Sequence, residues 1–230
     1  MTKIAIIPAR GGSKRIPRKN IKEFLGKPII AYSIEAALRS GVFDEVMVST
    51  DDQEIAEIAQ KYGAQVPFYR SPEMSSDMAM TAPVLIEVLQ EYEERGRKFE
   101  HVCCVYPCAP FIRAGRLQEG LALLLRQPQF DNLLPLVRFS YPPQRCFVIR
   151  QGQAYFLHPE NYNVRSQDLE PYYHDAGQFY FTKTEFLLRE QKMNGKNTLP
   201  LILPESEVQD IDTEEDWKIA EMKYKILYNV

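Results

Sequence analysis

Short apolar runs alternate with helical patterns along the first 125 positions of this 230-residue chain. The apolar runs predict strands, and apolar residues three and four positions apart predict amphipathic helices between them. The predicted strands are residues 4–9, 46–50, 65–69 and 102–106, and the predicted helices are residues 28–38, 55–62, 82–92 and 114–125. This alternation is typical of an α/β fold with a doubly wound, mainly parallel sheet, whose ligands bind at the carboxyl ends of the strands.

The pattern changes after residue 133. Residues 133–139 predict another strand, but residues 140–173 hold four prolines, many aromatics and two alternating stretches around Gln151-Gly152, which predict an antiparallel hairpin. Such an excursion cannot easily bury its aromatic residues within one chain, so we expect it to pack against a second copy. Residues 178–181 and 201–203 predict further strands, and three acidic residues open a final helix expected at about 213–228.

Length and composition narrow the class of protein. The chain is long enough for one α/β domain, residues 1–230, and short for two. A net charge of -3 offers no general attraction to nucleic acid, so the partner should be small. No apolar run approaches the roughly 18 residues that a membrane span requires, and the first apolar stretch lacks the features of a signal peptide. We therefore expect no membrane association and a cytoplasmic location.

The four cysteines do not predict a metal site. Cys103 and Cys104 are adjacent in a predicted strand and must point to opposite faces, and the chain contains no C-x-x-C pair. We interpret these thiols as packing residues.

The first strand leads directly into a glycine pair, Gly11-Gly12, that is surrounded by cationic side chains. These cations are Arg10, Lys14, Arg15, Arg18 and Lys19. Glycines let backbone N–H groups approach an anion, and the cations neutralise it, so the segment predicts a site for a nucleoside triphosphate. It is neither a Walker loop nor a dinucleotide fingerprint. The alternative is a solvated basic loop.

Four acidic or hydroxyl positions each allow two interpretations. Asp210 and Asp212 lie two residues apart on one side of an extended segment and could face the same hard cation. Alternatively, Asp212 only caps the final helix and Asp210 is a surface charge. Asp51 and Thr81 could likewise be functional or could only cap the helices that follow them.

These motifs resemble the CMP-sialic acid synthetase (acylneuraminate cytidylyltransferase) family, in which A-R-G-G-S-K is followed by I-P-x-K-N. The resemblance extends along nearly the whole chain, through Ser49-Thr50-Asp51-Asp52, Tyr62-Gly63-Ala64, Asp77 with Thr81, Arg165-Ser166-Gln167-Asp168 and Asp210-Ile211-Asp212-Thr213. It implies a Rossmann-like nucleotidyltransferase fold and transfer of CMP from CTP to the anomeric hydroxyl of a nonulosonic acid, with release of pyrophosphate. It also implies a homodimer in which residues 140–173 reach the neighbour's active site.

The resemblance also implies roles for particular residues. Catalytic roles fall to Arg10, Lys19, Asp210 and Asp212, of which the two aspartates hold Mg²⁺. CTP contacts fall to Ala9, Arg10, Gly11, Gly12, Ser13, Lys19, Asn20, Arg70, Asp77 and Thr81, with Asn20 orienting the triphosphate. Sugar contacts fall to Tyr106, Phe111, Arg165, Gln167 and Gln178. None of the three histidines belongs to a motif, so no general base is assigned.

Departures from the sialic-type pattern point to one branch of the family. Residues 106–111 read Tyr-Pro-Cys-Ala-Pro-Phe where sialic-type members usually carry Gln-Pro-Thr-Ser-Pro, Arg15 replaces a common glycine, and Ala-Gly-Gln at 176–178 replaces Asn-Gly-Ala. These departures resemble the pseudaminic acid branch. They also have a physical rationale, because an aromatic wall favours a deoxy sugar with a terminal methyl group. The alternatives are an N-acetylneuraminate or 3-deoxy-manno-octulosonate cytidylyltransferase and a non-catalytic nucleotide-binding regulator.

Overall fold

The computed structural model describes residues 1–229 and contains a central sheet flanked by helices. The strands are β1 (Lys3–Pro8), β2 (Glu23–Phe24), β3 (Lys27–Pro28), β4 (Glu45–Ser49), β5 (His101–Val105), β6 (Asn132–Arg138), β7 (Phe147–Arg150), β8 (Gln153–Phe156), β9 (Tyr173–Asp175), β10 (Phe179–Lys183) and β11 (Thr198–Leu203). The helices are α1 (Ile29–Ser40), α2 (Gln53–Lys61), α3 (Thr81–Glu94), α4 (Ala114–Arg126), α5 (Thr184–Glu190) and α6 (Glu214–Tyr228).

The central sheet is mixed but mainly parallel, as predicted. Its strand order is β11-β6-β10-β5-β1-β4, with β9 paired to β6. β10 runs antiparallel to both neighbours, β5 and β6, while β4, β1, β5, β6 and β11 share one direction. Because β10 is reversed, its first residues lie at the carboxyl edge of the parallel strands, beside the ends of β5 and β6.

Helices cover both faces of the sheet because successive strand residues point to opposite sides. Ala5 and Ile7 of β1 pack with residues of α1, α2 and α4 on one face. Ile4 and Ile6 pack with residues of α3 and α5 on the other. Cys103 and Cys104 divide between the same two layers, which confirms their predicted directions.

Most predicted elements are confirmed. Residues 65–69 form only a single bridge, Gln65 to Met47, and α5 and the short strands β2, β3 and β9 were not predicted. The hairpin β7–β8 forms around Gln151 and Gly152, both at positive φ, as a two-residue turn requires. Within residues 1–229, no helix has the length and apolar character needed to cross a membrane.

Candidate active site

The glycine segment after β1 is held closely against the end of β4. The Gly11 N–H donates to Oδ1 of Asp51 at 2.9 Å. A Cβ at Gly11 would lie 2.7 Å from Oδ2 of Asp52, so this position cannot carry a larger side chain without displacing Asp52. The Gly11 amide is therefore already occupied, and the predicted pair of phosphate-binding glycine amides is reduced to Gly12.

Asp52, and not Asp51, caps the helix that follows β4. Its side chain accepts from the Ile55 N–H at 3.0 Å and from Nη2 of Arg18 at 2.9 Å. Arg18 and the helix amide hold the pKa of Asp52 below its ordinary value. Arg18, one of the five cations of the glycine segment, thus connects that segment to α2. Because Asp52 is the cap, the capping interpretation of Asp51 was wrong.

The other four cations line or border a cavity of about 200 Å³, which also contains Ser13 and Asn20. Arg10 and Lys14 pair with Asp77, and they hold the pKa of that carboxyl below its ordinary value. Arg15 donates to Asp212 at 2.7 Å, and Lys19 donates to the carbonyl of Ile211 at 2.7 Å. Two distant segments, around residues 77 and 212, therefore meet at the predicted triphosphate site.

Asn20 acts as a brace inside this loop. Its Nδ2 donates to the Arg10 carbonyl at 2.9 Å, and its Oδ1 accepts from the Cys108 thiol at 3.1 Å. The side chain is buried, and burial raises the pKa of the Cys108 thiol to about 12, which keeps it a protonated donor. These contacts position Arg10, and a direct contact between Asn20 and the triphosphate stays a prediction.

Neither member of the acidic pair caps α6. Thr213 and Asp216 form a reciprocal capping box at its start. Asp212 is left to face Arg15 and Lys19, whose Nζ lies 3.6 Å from Oδ1 of Asp212. Asp210 is exposed and lines a second cavity. The capping alternative for Asp212 was therefore wrong.

The second cavity, about 450 Å³, lies where β5 and β6 end and β10 begins. The ring of Tyr106 contacts that of Tyr180 edge to face, with centroids 5.3 Å apart. The Tyr180 hydroxyl and the Gly177 N–H both donate to Oδ1 of Asp175 at 2.8 Å. Burial raises the pKa of both tyrosines, so their hydroxyls stay neutral. This cavity combines an aromatic wall with carboxylates that can accept hydrogen bonds.

Two residues that were predicted to contact the sugar, Phe111 and Gln178, are buried in the fold, and their sugar contacts stay predictions. Phe111 is 1% exposed and packs among α1, α6 and the glycine segment, on Tyr224. Gln178 is 3% exposed, and its Nε2 donates to the Glu207 carbonyl at 2.6 Å. Both side chains make their contacts within the fold, because residues 111 and 178 lie where loops pack against the core.

Arg165 and Gln167 lie on the excursion, away from the second cavity. The Arg165 side chain is 74% exposed and pairs with Asp168 at 2.9 Å. Gln167 borders a separate depression together with Phe139 and Leu203. A sugar contact from either residue stays a prediction that depends on a second copy of the chain.

Arg70 contacts the end of β4, and Thr81 lies beside Tyr106 of the second cavity. Arg70 is buried and donates to the Ser49 hydroxyl at 3.0 Å and to the Ser49 carbonyl at 2.6 Å, and burial lowers its pKa. Thr81 is the first residue of α3, whose cap position is Met80, so Thr81 is not the cap. Its hydroxyl instead forms a hydrogen bond with the Tyr106 phenol, which partly offsets the rise that burial causes in the pKa of Tyr106. CTP contacts from Arg70, Asp77 and Thr81 stay predictions.

Three residues of this region were missed from the sequence: Asp175, Tyr180 and Lys223, all of which line the second cavity. No spacing signal marks them, because they come from the end of β9, from β10 and from α6, which meet only in the fold. Ser49-Thr50-Asp51-Asp52 did carry a capping signal for Asp52. A larger cavity, about 730 Å³, borders Thr2 and His101 at the opposite edge of the sheet, far from these motifs.

Comparison with known proteins identifies the family of the chain. A family description, Cytidylyltransferase, matches residues 4–216. A pseudaminic acid cytidylyltransferase of Campylobacter jejuni is 44% identical over 227 residues, covering 98% of this chain and 97% of that protein. An N-acylneuraminate cytidylyltransferase A of Danio rerio is 35% identical over 223 residues, covering 95% of this chain and 50% of that protein.

One solved structure is similar over the full length of both chains. It is that of CMP:2-keto-3-deoxy-manno-octonic acid synthetase complexed with CTP, with a TM-score of 0.74 and 19% sequence identity. At this identity the similarity concerns the fold alone.

Proposed function

The chain belongs to the cytidylyltransferase family, and on that premise we propose that it transfers CMP from CTP to a nonulosonic acid, pseudaminic acid in particular. Its membership makes it a nucleotidyltransferase enzyme and confirms the resemblance drawn from its motifs. The observation that carries the proposal is the position of residues 210–212 between the two cavities. Asp212 faces the cations of the first, and Asp210 lines the second.

The first cavity suits the triphosphate of CTP. Arg10, Lys14, Arg15 and Lys19 supply positive charge around it, and the Gly12 N–H, which makes no hydrogen bond within residues 1–229, supplies a backbone donor. Asp77 and Asp212 now pair with these cations. Phosphate oxygens would take over those contacts, so the four cations would keep anionic partners when CTP binds.

Asp210 and Asp212 fit Mg²⁺. Magnesium takes hard oxygen ligands and is commonly held by one or two carboxylates together with substrate phosphates. The remaining ligands of such an ion would come from the triphosphate and from water. When bound, the ion would neutralise charge on the departing pyrophosphate.

The reaction joins the contents of the two cavities. The anomeric hydroxyl of the sugar forms an O–P bond at the α-phosphorus, the bond between that phosphorus and the bridging oxygen breaks, and the hydroxyl proton is lost to solvent. Such in-line transfer depends mainly on positioning and charge neutralisation. Arg10 and Lys19 hold the phosphates, Asn20 fixes the backbone of Arg10, and Tyr106 forms part of the sugar's wall.

A turnover assay tests the function. We expect pyrophosphate release from CTP with pseudaminic acid, weaker release with N-acetylneuraminic acid, and little with 3-deoxy-manno-octulosonate. Release with the last sugar above the other two would establish the alternative cytidylyltransferase. A failure to release pyrophosphate with any acid sugar, while CTP still binds, would support the non-catalytic regulator.

The sugar preference gives a sharper prediction. Because Tyr106 places an aromatic ring where relatives use an amide, extra hydroxyls of N-acetylneuraminic acid would lose water without gaining partners. We expect kcat/KM to favour pseudaminic acid by up to about a hundredfold, the most that an apolar wall achieves against an added hydroxyl. Tyr106→Gln should narrow this ratio. Equal efficiency of the wild-type enzyme with both sugars, or a parallel fall in both activities in the variant, would contradict the role.

The excursion at residues 140–173 supports a homodimer as part of the proposal. Tyr141 is 88% exposed and Ile149 is 79% exposed, and both belong to an aromatic and aliphatic surface that one chain leaves uncovered. A two-fold dimer would bury this surface and could carry Arg165 and Gln167 to the neighbour's second cavity.

We also propose a cytoplasmic location, since the four cysteines are free thiols, as in reducing compartments.

A pair of matched variants tests the dimer. Light scattering of the wild-type protein should give twice the chain mass of 26.7 kDa. Ile149→Asp should shift this mass toward one chain and lower activity, because a buried charge opposes association. Ile226→Asp is the control, since Ile226 is 78% exposed on α6, outside the excursion. A fully active wild-type monomer at assay concentration would contradict the dimer.

A further inference from the structure

Lys223 of α6 is a cation that lies outside the cluster of cations in the glycine segment. It lines the second cavity together with Tyr106, and it is half-buried. Its Nζ donates to the Val208 carbonyl at 2.5 Å. In the chain from residue 1 to 229, no carboxylate lies within ion-pair distance of this ammonium, although most other half-buried lysines have such a partner.

The other charges of the second cavity are acidic. Asp175, Glu205 and Asp210 line it, and among its described lining residues Lys223 is the one lysine or arginine. An acid sugar brings a carboxylate of its own, which three neighbouring carboxylates would repel. A nonulosonic acid can therefore bind here only where a cation meets its carboxylate.

Lys223 has the unused hydrogen-bonding capacity for this task. An ammonium has three donors, and one of them is engaged with Val208. That bond directs the head group to the edge of the cavity, where α6 meets the segment that leads to Asp210. Burial lowers the pKa of the ammonium, so a carboxylate partner would restore the stability of its charged form.

We propose that Lys223 binds the carboxylate of the acid sugar and thereby selects for acid sugars over neutral ones. The inference rests on the proposed function and deepens it. Lys223 acts from within the same chain as the cavity. Arg165 is paired with Asp168 and could reach the sugar only from a second copy. The two cations are compatible, because a carboxylate has two oxygens.

The test compares Lys223→Gln, Lys223→Arg and the control Lys225→Gln, which removes an exposed lysine of the same helix. We expect Lys223→Gln to raise KM for the acid sugar by about 10- to 100-fold, the usual effect of losing a hydrogen bond between charged groups. KM for CTP should stay within about twofold, and Lys223→Arg should recover most of the loss, because it retains the charge. Lys225→Gln should change neither constant.

A neutral analogue separates charge recognition from a structural role of the Val208 bond. The sugar carboxamide should bind the wild-type enzyme and Lys223→Arg more weakly than the acid, whereas Lys223→Gln should bind acid and amide alike. An unchanged KM for the acid in Lys223→Gln, or a parallel rise in both KM values with a lower melting temperature, would overturn the inference. If Lys223→Gln does not fold, equal binding of acid and amide by wild-type and Lys223→Arg enzymes overturns it. A wild-type enzyme that turns over no acid sugar would instead overturn the proposed function.

Discussion

Asp212→Asn is expected to lower turnover of CTP by about two to four orders of magnitude without unfolding the protein. The Asp212 carboxylate pairs with cations that would hold the triphosphate, and Asp210, two residues earlier, lines the cavity that would hold the sugar. An amide has the same shape but no charge, so it is a poorer ligand for the proposed Mg²⁺. The cap of α6 stays in place, since Thr213 and Asp216 form it. Pyrophosphate release at fixed Mg²⁺, with thermal unfolding measured in parallel, tests both parts.

A magnesium titration sharpens this test. If Asp212 helps to hold the ion, the variant should need more Mg²⁺ to reach half of its own maximal rate. Glu215→Gln is the control, because it removes a carboxylate from the first turn of the same helix and leaves residues 210–212 unchanged. Near-normal turnover of Asp212→Asn at matched Mg²⁺ would exclude the acidic pair from the mechanism.

Arg10→Ala and Lys19→Ala are each expected to weaken CTP binding by about 2 kcal/mol or more, which is roughly a 30-fold rise in Kd. Each removes a cation from the cavity after β1, where charge-assisted bonds to phosphate are partly shielded from water. Lys19→Ala should have the larger effect, because Lys19 also donates to the Ile211 carbonyl and so links the glycine segment to the acidic pair. Calorimetric titration with CTP measures both values.

Arg126→Ala provides the matched control, since Arg126 is an exposed arginine in the last turn of α4, outside both cavities. Titration with inorganic triphosphate adds a second readout, because the loss should persist when the base and ribose are absent. An unchanged Kd for CTP in both variants would mean that the triphosphate binds elsewhere.

Local patterns identified most elements of the fold because each depends on nearby residues. Apolar periodicity located β1, β4, β5 and the helices between them, since alternating burial on strands and helical spacing follow from local geometry. The same reasoning failed for residues 65–69, which form just one bridge, from Gln65 to Met47 in the middle of β4. It also failed for α5, a short helix that packs under β10 and has a weak periodic signal of its own.

The functional residues divide in the same way. The sequence by itself determined the α/β class, which follows from the alternation of strand and helix patterns. It also determined the glycine and cation segment after β1 and the acidic pair at 210 and 212, because each is a group of neighbouring residues whose chemistry can be recognised without the fold. Only the tertiary structure decided that Phe111 and Gln178 are core residues, and that Asp175, Tyr180 and Lys223 share one cavity with Tyr106. The physical reason is distance along the chain. Whether a side chain faces a cavity or the core depends on which remote segments pack against it. The antiparallel position of β10 between β5 and β6, and the packing of α6, are determined by the burial of the whole sheet.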